Sequence, residues 1–188
     1  MKQQIKTGLW LGVVLLVVVP LLLLLSCQLI ITLATSEISK SENPPATLQE
    51  SDLVGTWEAD YGGCYAGVDR LILRPDGTFK QIYRNECENY SYETPWNKWW
   101  LERFPDGRVR LHLKGARYFL GGIPLANSTR AWSYHDPFDP RRRYRSVKMV
   151  GKLILNVRVL PSGELVLANM WPGGDSPIGD LGVFHRVE

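Results

Sequence analysis

One turn, written three times, restricts this chain more than any other feature. "RPDG" occupies 74–77, "FPDG" 104–107 and "LPSG" 160–163. Proline fixes φ for the second position of a type I turn, and Asp or Ser suits the third. Glycine takes the left-handed conformation that follows, so each triplet closes a hairpin with a bulge. The flanks alternate. In "RVRLHLK" (108–114) Val109, Leu111 and Leu113 share one face, and Arg108, Arg110, His112 and Lys114 share the other. "KLILNVRV" (152–159) likewise turns Leu153, Leu155, Val157 and Val159 to one side. Such period-two writing marks half-buried antiparallel strands.

The pattern predicts strands near 53–60, 68–74, 78–84, 98–104, 108–114, 147–160 (bent at Gly151), 164–170 and 181–187. About eight strands joined by hairpins imply an all-β, antiparallel up-and-down barrel, with a β-sandwich as the alternative. The barrel is favoured because closure leaves no exposed sheet edge.

The first turn also sets a register. Residues facing one another across Pro75-Asp76-Gly77 should carry numbers adding to about 152. That brings Cys64 and Cys87 together at the open end of the hairpin. In an oxidising compartment two cysteines in one small domain form a disulfide, and the alternative is a pair of free buried thiols. In the chain-entropy account a bridge over such a loop stabilises by ~3 kcal/mol, the mechanism being model-dependent.

The N-terminus has a different character. Lys2 and Lys6 precede a run from Gly8 to Ala34 that holds no charged residue. As a helix it would reach roughly 40 Å, more than the ~30 Å hydrocarbon core of a bilayer. Residues 1–34 therefore read as one transmembrane signal anchor, and the lysines hold its start in the cytoplasm. The alternative is a cleaved export signal, in which "LLSC" resembles a lipobox with Cys27 lipidated. Either way the rest of the chain lies outside the cytoplasm, tied to a membrane. Polar, proline-containing "TSEISKSENPPATL" (35–48) reads as a flexible linker, and 49–188 as one extracytoplasmic β-domain. A net charge of +3 implies neither a nucleic-acid nor a strongly acidic partner.

"LVGTWEAD" places Gly55-Thr56-Trp57 at the first strand, followed by "LILRPDGTFKQIY". This arrangement resembles the lipocalin-like group of calycin β-barrels. The resemblance implies a barrel opened by Gly-x-Trp, with Trp57 plugging its closed end and Arg186, in "VFHRVE", packed over the indole. It also implies an apolar small-molecule ligand.

Candidate contact residues come from two stretches. "ETPWNKWW" gathers Trp96, Trp99 and Trp100, which could line a ligand mouth, stack on sugars or simply cover a barrel end. Strand alternation requires Trp99 and Trp100 to face opposite ways. "DPFDPRRRYR" carries Arg141, Arg142 and Arg143, suited to anionic head groups or acidic polymers, or to a solvated loop. His112 is expected to face solvent on its charged strand face. His135 with Asp136, and His185, are the only other imidazoles, and no metal-ligand spacing accompanies them. No catalytic set, metal or cofactor is expected. Asn89 and Asn127 begin glycosylation acceptor triplets. The leading expectation is a non-catalytic module presenting a surface to an envelope protein or polymer. A lipocalin-like binder of a small apolar molecule comes second, and a hydrolase using His135, Asp136 and His185 third.

Overall fold

The structure, a computed structural model, describes residues 37–62, 67–128, 131–134, 138, 145–148, 151–169 and 182–187. The chain divides into two compact units, Met1–Thr35 and Ser36–Glu188. The apolar run 8–34, with Cys27, lies outside the described residues, as do Cys64, His135, Asp136 and Arg141–Arg143.

Eleven strands are described: β1 (Gly55–Asp60), β2 (Val68–Leu73), β3 (Thr78–Asn85), β4 (Tyr90–Glu93), β5 (Asn97–Arg103), β6 (Val109–Lys114), β7 (Ala131–Tyr134), β8 (Arg145–Lys148), β9 (Lys152–Val159), β10 (Leu165–Asn169) and β11 (Val183–Arg186). Eight of them, in the order β1-β2-β3-β5-β6-β9-β10-β11, pair antiparallel in a ring that closes through β11 and β1. The result is a closed eight-stranded barrel with β4 as an extra strand on β3, while β7 and β8 pair with each other in a separate two-stranded sheet.

The expected register holds across the first hairpin, from Val68↔Arg84 to Leu73↔Phe79. The three turns share one pattern of backbone hydrogen bonds. Gly77, Gly107 and Gly163 donate back to the carbonyls of Arg74, Phe104 and Leu160, whose own amides donate to the carbonyls of Thr78, Arg108 and Glu164, the residues just after the glycines. All three glycines have positive φ, between 75° and 88°, where a side chain would be strained. In an up-and-down ring these turns fall at one end, together with the chain entering β1 and leaving β11. At the other end β6 finishes and β9 begins, and the chain runs between β1 and β2 and between β10 and β11.

Two differences from the sequence expectation have simple causes. The stretch 147–160 is not one bent strand. It breaks at Gly151 (φ 82°), with β8 pairing to β7 and β9 pairing to β6 and β10. Strand β4 was not expected. It lies along the same edge of β3 as β5, and one extra residue separates the two registers, Ile82↔Glu93 and Phe79↔Asn97. Pro95, which cannot donate to a ladder, stands in that bulge.

Residues 37–48 pack on the barrel, where the sequence suggested a linker. Strand β9 runs past the start of β6, whose first pair is Val109↔Val157. Glu42 takes up the edge left there, exchanging two backbone bonds with Val159 at 2.8 and 3.0 Å. Arg158 fixes the same segment by donating to the Ser41 hydroxyl (3.0 Å), the Ser41 carbonyl and the Asn43 side-chain oxygen. Ile38 joins Leu160, Val166, Ala168 and Val183 in a small apolar cluster on the outside of the wall.

Large side chains occupy the lumen. Trp57, Leu71, Phe79, Tyr83, Leu111, Leu155, Phe119 and Phe184 are fully buried in one core. Phe119 belongs to the β6–β7 connection, and its ring stacks on Tyr83 at 3.8 Å between centroids and 4° between planes. Ala116, Tyr118 and Ala126 of the same connection are also buried, so this segment packs into the core at the end opposite the tight turns.

Candidate functional site

Inward positions of the strands are not all apolar. Asp69 shares the face of Leu71 and Leu73, and Gln81 that of Phe79 and Tyr83; both are fully buried. Tyr61 donates its hydroxyl to Asp69 Oδ2 (3.0 Å), and Gln81 Nε2 donates to Asp69 Oδ2 at 2.9 Å and Oδ1 at 3.1 Å. Gln81 then reaches the connection after β6. Its Nε2 donates to the Arg117 carbonyl and its Oε1 accepts from the Arg117 amide, both at 2.8 Å. The side chain thus stands in for a strand neighbour and ties that connection to the barrel interior. Asn169 completes the group by donating to the Tyr61 hydroxyl (3.4 Å) and the Gly182 carbonyl (3.2 Å).

Burial pushes the Asp69 carboxyl up to about 8, outweighing the opposing hydrogen bonds from Gln81 and Tyr61. Burial likewise raises the Tyr61 phenol, with the Asp69 charge as the next cause, and raises Tyr118. Sequence reading passed over this group. Its signal was polar residues at inward positions of "VDRLIL" and "TFKQIYRN". The arrangement is a hydrogen-bonded network around one buried acid; no nucleophile stands beside it among the described residues.

At the opposite end Trp57 is fully buried and donates its indole N–H to the Leu53 carbonyl at 2.8 Å. Trp57 and Arg186 are direct neighbours across β1 and β11, and the guanidinium carbon lies 4.7 Å from the indole centroid. Arg186 also donates to the Asp52 carbonyl.

The three tryptophans of "ETPWNKWW" separate. Trp99 is buried and donates to the Arg74 carbonyl at 3.2 Å. Trp100 faces outward, 42% exposed, and Trp96 stands beside the same strand at 37%. The Arg74 guanidinium lies 3.4 Å from the Trp96 ring centroid and the Lys80 ammonium 5.2 Å. Trp100 stacks on His112, its cross-strand partner, at 4.9 Å and 9°. His112 is therefore not solvent-facing. Trp100 covers one face of it and Glu102 holds Nε2 at 2.8 Å. Burial keeps His112 below its usual pKa, although Glu102 pulls the other way, so the imidazole under the indole is neutral at pH 7.

The outward faces of β5, β6 and β9 form a grid. One row is Trp100, His112 and Ile154; the next is Glu102, Arg110 and Asn156. On the other side of the tryptophan row come Lys98, Lys114 and Lys152, all exposed, with Lys114 and Lys152 directly opposite one another. None of these three lysines makes an ion pair among the described residues.

A cleft of about 430 Å³ opens farther along the wall, lined by Glu42, Asn43, Asp106, Arg108, Phe138 and Arg158. Arg158 is occupied with the 41–43 segment, and Arg108 pairs with Asp106 at 2.9 Å. A smaller one, about 90 Å³, lies on the outward faces of β1, β2 and β3. His185 is half-buried and bonded to Glu164 at 2.8 Å. Among the described residues no cluster of His, Cys, Asp and Glu could hold a metal ion, and no helix is long and apolar enough to cross a membrane. Comparison with protein-family models, with curated proteins and with solved structures gives no match for this chain.

Proposed function

We propose that this chain is a membrane-tethered, extracytoplasmic, non-catalytic β-barrel that binds a partner on its outer wall. One contrast carries the reading: large side chains occupy the lumen, whereas Trp96 and Trp100 are spent on the outside. Exposed tryptophans set among cations are costly on a surface with no partner and characteristic of contact surfaces. The uncharged run after Lys2 and Lys6 supports the tether, with lipidated Cys27 as the other means of attachment. The buried Trp57 under Arg186 supports a lipocalin-like relation for the closed end. A lumenal apolar ligand would have to displace Phe119 from its stack on Tyr83, so that alternative is not adopted.

The test uses cells expressing the full chain with a photo-crosslinking residue at position 100. The protein should stay with carbonate-washed membranes, be digested by protease that cannot enter the cytoplasm, and crosslink from position 100 to a second component. The same residue at position 58, on another part of the wall, should not crosslink. Recovery in the cytosol, or no crosslink from position 100, ends the proposal.

The compartment makes a second prediction. Cys87 sits on the exposed turn between β3 and β4, and the register of the first hairpin, in which facing residues add to 152, supports a pairing with Cys64, which lies outside the described residues. Non-reducing peptide mapping should recover a Cys64–Cys87 linked peptide. Two alkylatable thiols in the untreated native protein would rule the bridge out.

A further inference from the structure

Three lysines and an exposed tryptophan meet on this wall although they are far apart in the chain. Lys98, Lys114 and Lys152 come from β5, β6 and β9, and Trp100 adjoins Lys98 on β5. Adjacent strands lie ~4.8 Å apart and alternate residues ~6.7 Å along a strand. The lysines therefore span roughly 10 Å, with the indole one step to the side.

Like charges directly opposite on neighbouring strands destabilise a sheet. The Lys114↔Lys152 pair is such an arrangement, and Lys98 continues it on the next strand. Among the described residues, nearby carboxylates do not relieve it. Glu102 is two rows away and bound to His112, and Glu93 is bound to Lys80 at 2.5 Å. The indole of Trp100 is backed on one face by His112, which fixes its plane and leaves the other face outward. A flat aromatic surface suits the C–H face of a sugar ring, and a row of ammonium groups suits a chain of regularly spaced anions.

We propose that this row is a binding site for an anionic polysaccharide, with Trp100 stacking on a sugar ring and Lys98, Lys114 and Lys152 meeting successive carboxylate or phosphate groups. The inference rests on the outer-wall reading above and names the partner's chemistry. Charge complementarity and the planar indole favour a glycan over a lipid surface. Head groups would engage the lysines but give the fixed indole plane no ring to stack on. Lys114 and Lys152 sit next to Gly115 and Gly151, which pair by a backbone hydrogen bond of 2.9 Å, so the row marks the end of the β6–β9 ladder.

The experiment titrates the full chain, held in zwitterionic nanodiscs, with a polyuronate, with neutral dextran, and with vesicles containing anionic lipid. The polyuronate should bind and dextran should not. The triple variant Lys98→Gln/Lys114→Gln/Lys152→Gln should bind the polyuronate about 100-fold more weakly at low salt and lose most of the salt dependence. Trp100→Ala should weaken binding about tenfold and leave the salt dependence in place. Circular dichroism of each variant must match the wild type; if the triple variant is misfolded, the three single Lys→Gln variants are read instead, each expected to lose a few-fold. No polyuronate binding, or binding that the lysine variants leave unchanged, overturns the assignment. Vesicle binding through the same lysines without polyuronate binding overturns it in favour of a membrane surface. If position 100 crosslinks to a protein in cells while the polyuronate fails to bind, the outer-wall reading stands and the glycan assignment falls.

Discussion

Trp57→Ala should lower the unfolding free energy of the full chain by about 3–5 kcal/mol, read from its denaturant midpoint in detergent. The side chain is fully buried, so truncation leaves a large void between β1, β2 and β11. The substitution also removes the 2.8 Å hydrogen bond to the Leu53 carbonyl, which belongs to the turn of 3-10 helix (Glu50–Leu53) that leads into β1. An acceptor left buried without its donor adds to the cavity cost. Arg186 loses the aromatic face beneath its guanidinium but keeps the Asp52 carbonyl. Trp57→Phe retains most of the apolar volume and should cost markedly less. A loss under about 1 kcal/mol for Trp57→Ala would mean that the closed end is not organised around this residue.

Stability should fall as pH rises from 6.5 to 8, and Asp69→Asn should abolish that fall. The folded carboxyl titrates at about 8, against an unreacted value of 3.8. Between those values the folded chain holds a proton that the unfolded chain has released. The stabilisation is complete below the unfolded value, declines as pH rises, and is gone above the folded one. One such proton corresponds to ~1.4 kcal/mol per pH unit, or roughly 2 kcal/mol over this window. His112 opposes this fall only weakly, by ~0.4 kcal/mol at most, because burial keeps the folded imidazole below its usual value and the unfolded one loses only its last half proton above pH 6.5. The groups facing Asp69 are Tyr61, Gln81 and the Arg117 backbone that Gln81 holds; Tyr61 titrates higher still. Denaturant midpoints in steps of half a pH unit test the prediction. A wild-type profile that stays flat from 6.5 to 8 would show that the acid is not buried in this network.

The strands were legible because their faces differ in polarity. Alternation located β1, β2, β3, β5, β6, β10 and β11 to within a few residues and merged β9 with the end of β8, and Pro-x-Gly located the turns that join three pairs of strands. Strand β4 was not legible: "YSYE" offers only four residues, and what pairs it to β3 is the bulge at Thr94-Pro95. The 37–48 segment has no periodicity, yet it docks because β9 outruns β6 and leaves backbone groups to be paired. His112 looked exposed because it alternates with inward leucines. The outer face of β6 is itself covered, and a single strand cannot report what lies over it.

The candidate site divides along the same line. The opposed directions of Trp99 and Trp100 follow from strand geometry alone, and they stand that way. The net charge of +3 argued against an acidic partner, and that inference treated the charges as evenly spread. Closing the ring sets Lys98, Lys114 and Lys152 in one row, because β6 pairs with β9 across more than thirty residues of intervening chain. By itself the sequence determined which residues face in and which face out, since side-chain period and turn chemistry are local properties. Only the tertiary structure decided which outward residues become neighbours, how Asp69 and Gln81 are satisfied inside, and what fills the lumen. Those outcomes depend on strand register and on packing between distant segments, and neither is written in any one stretch of the chain.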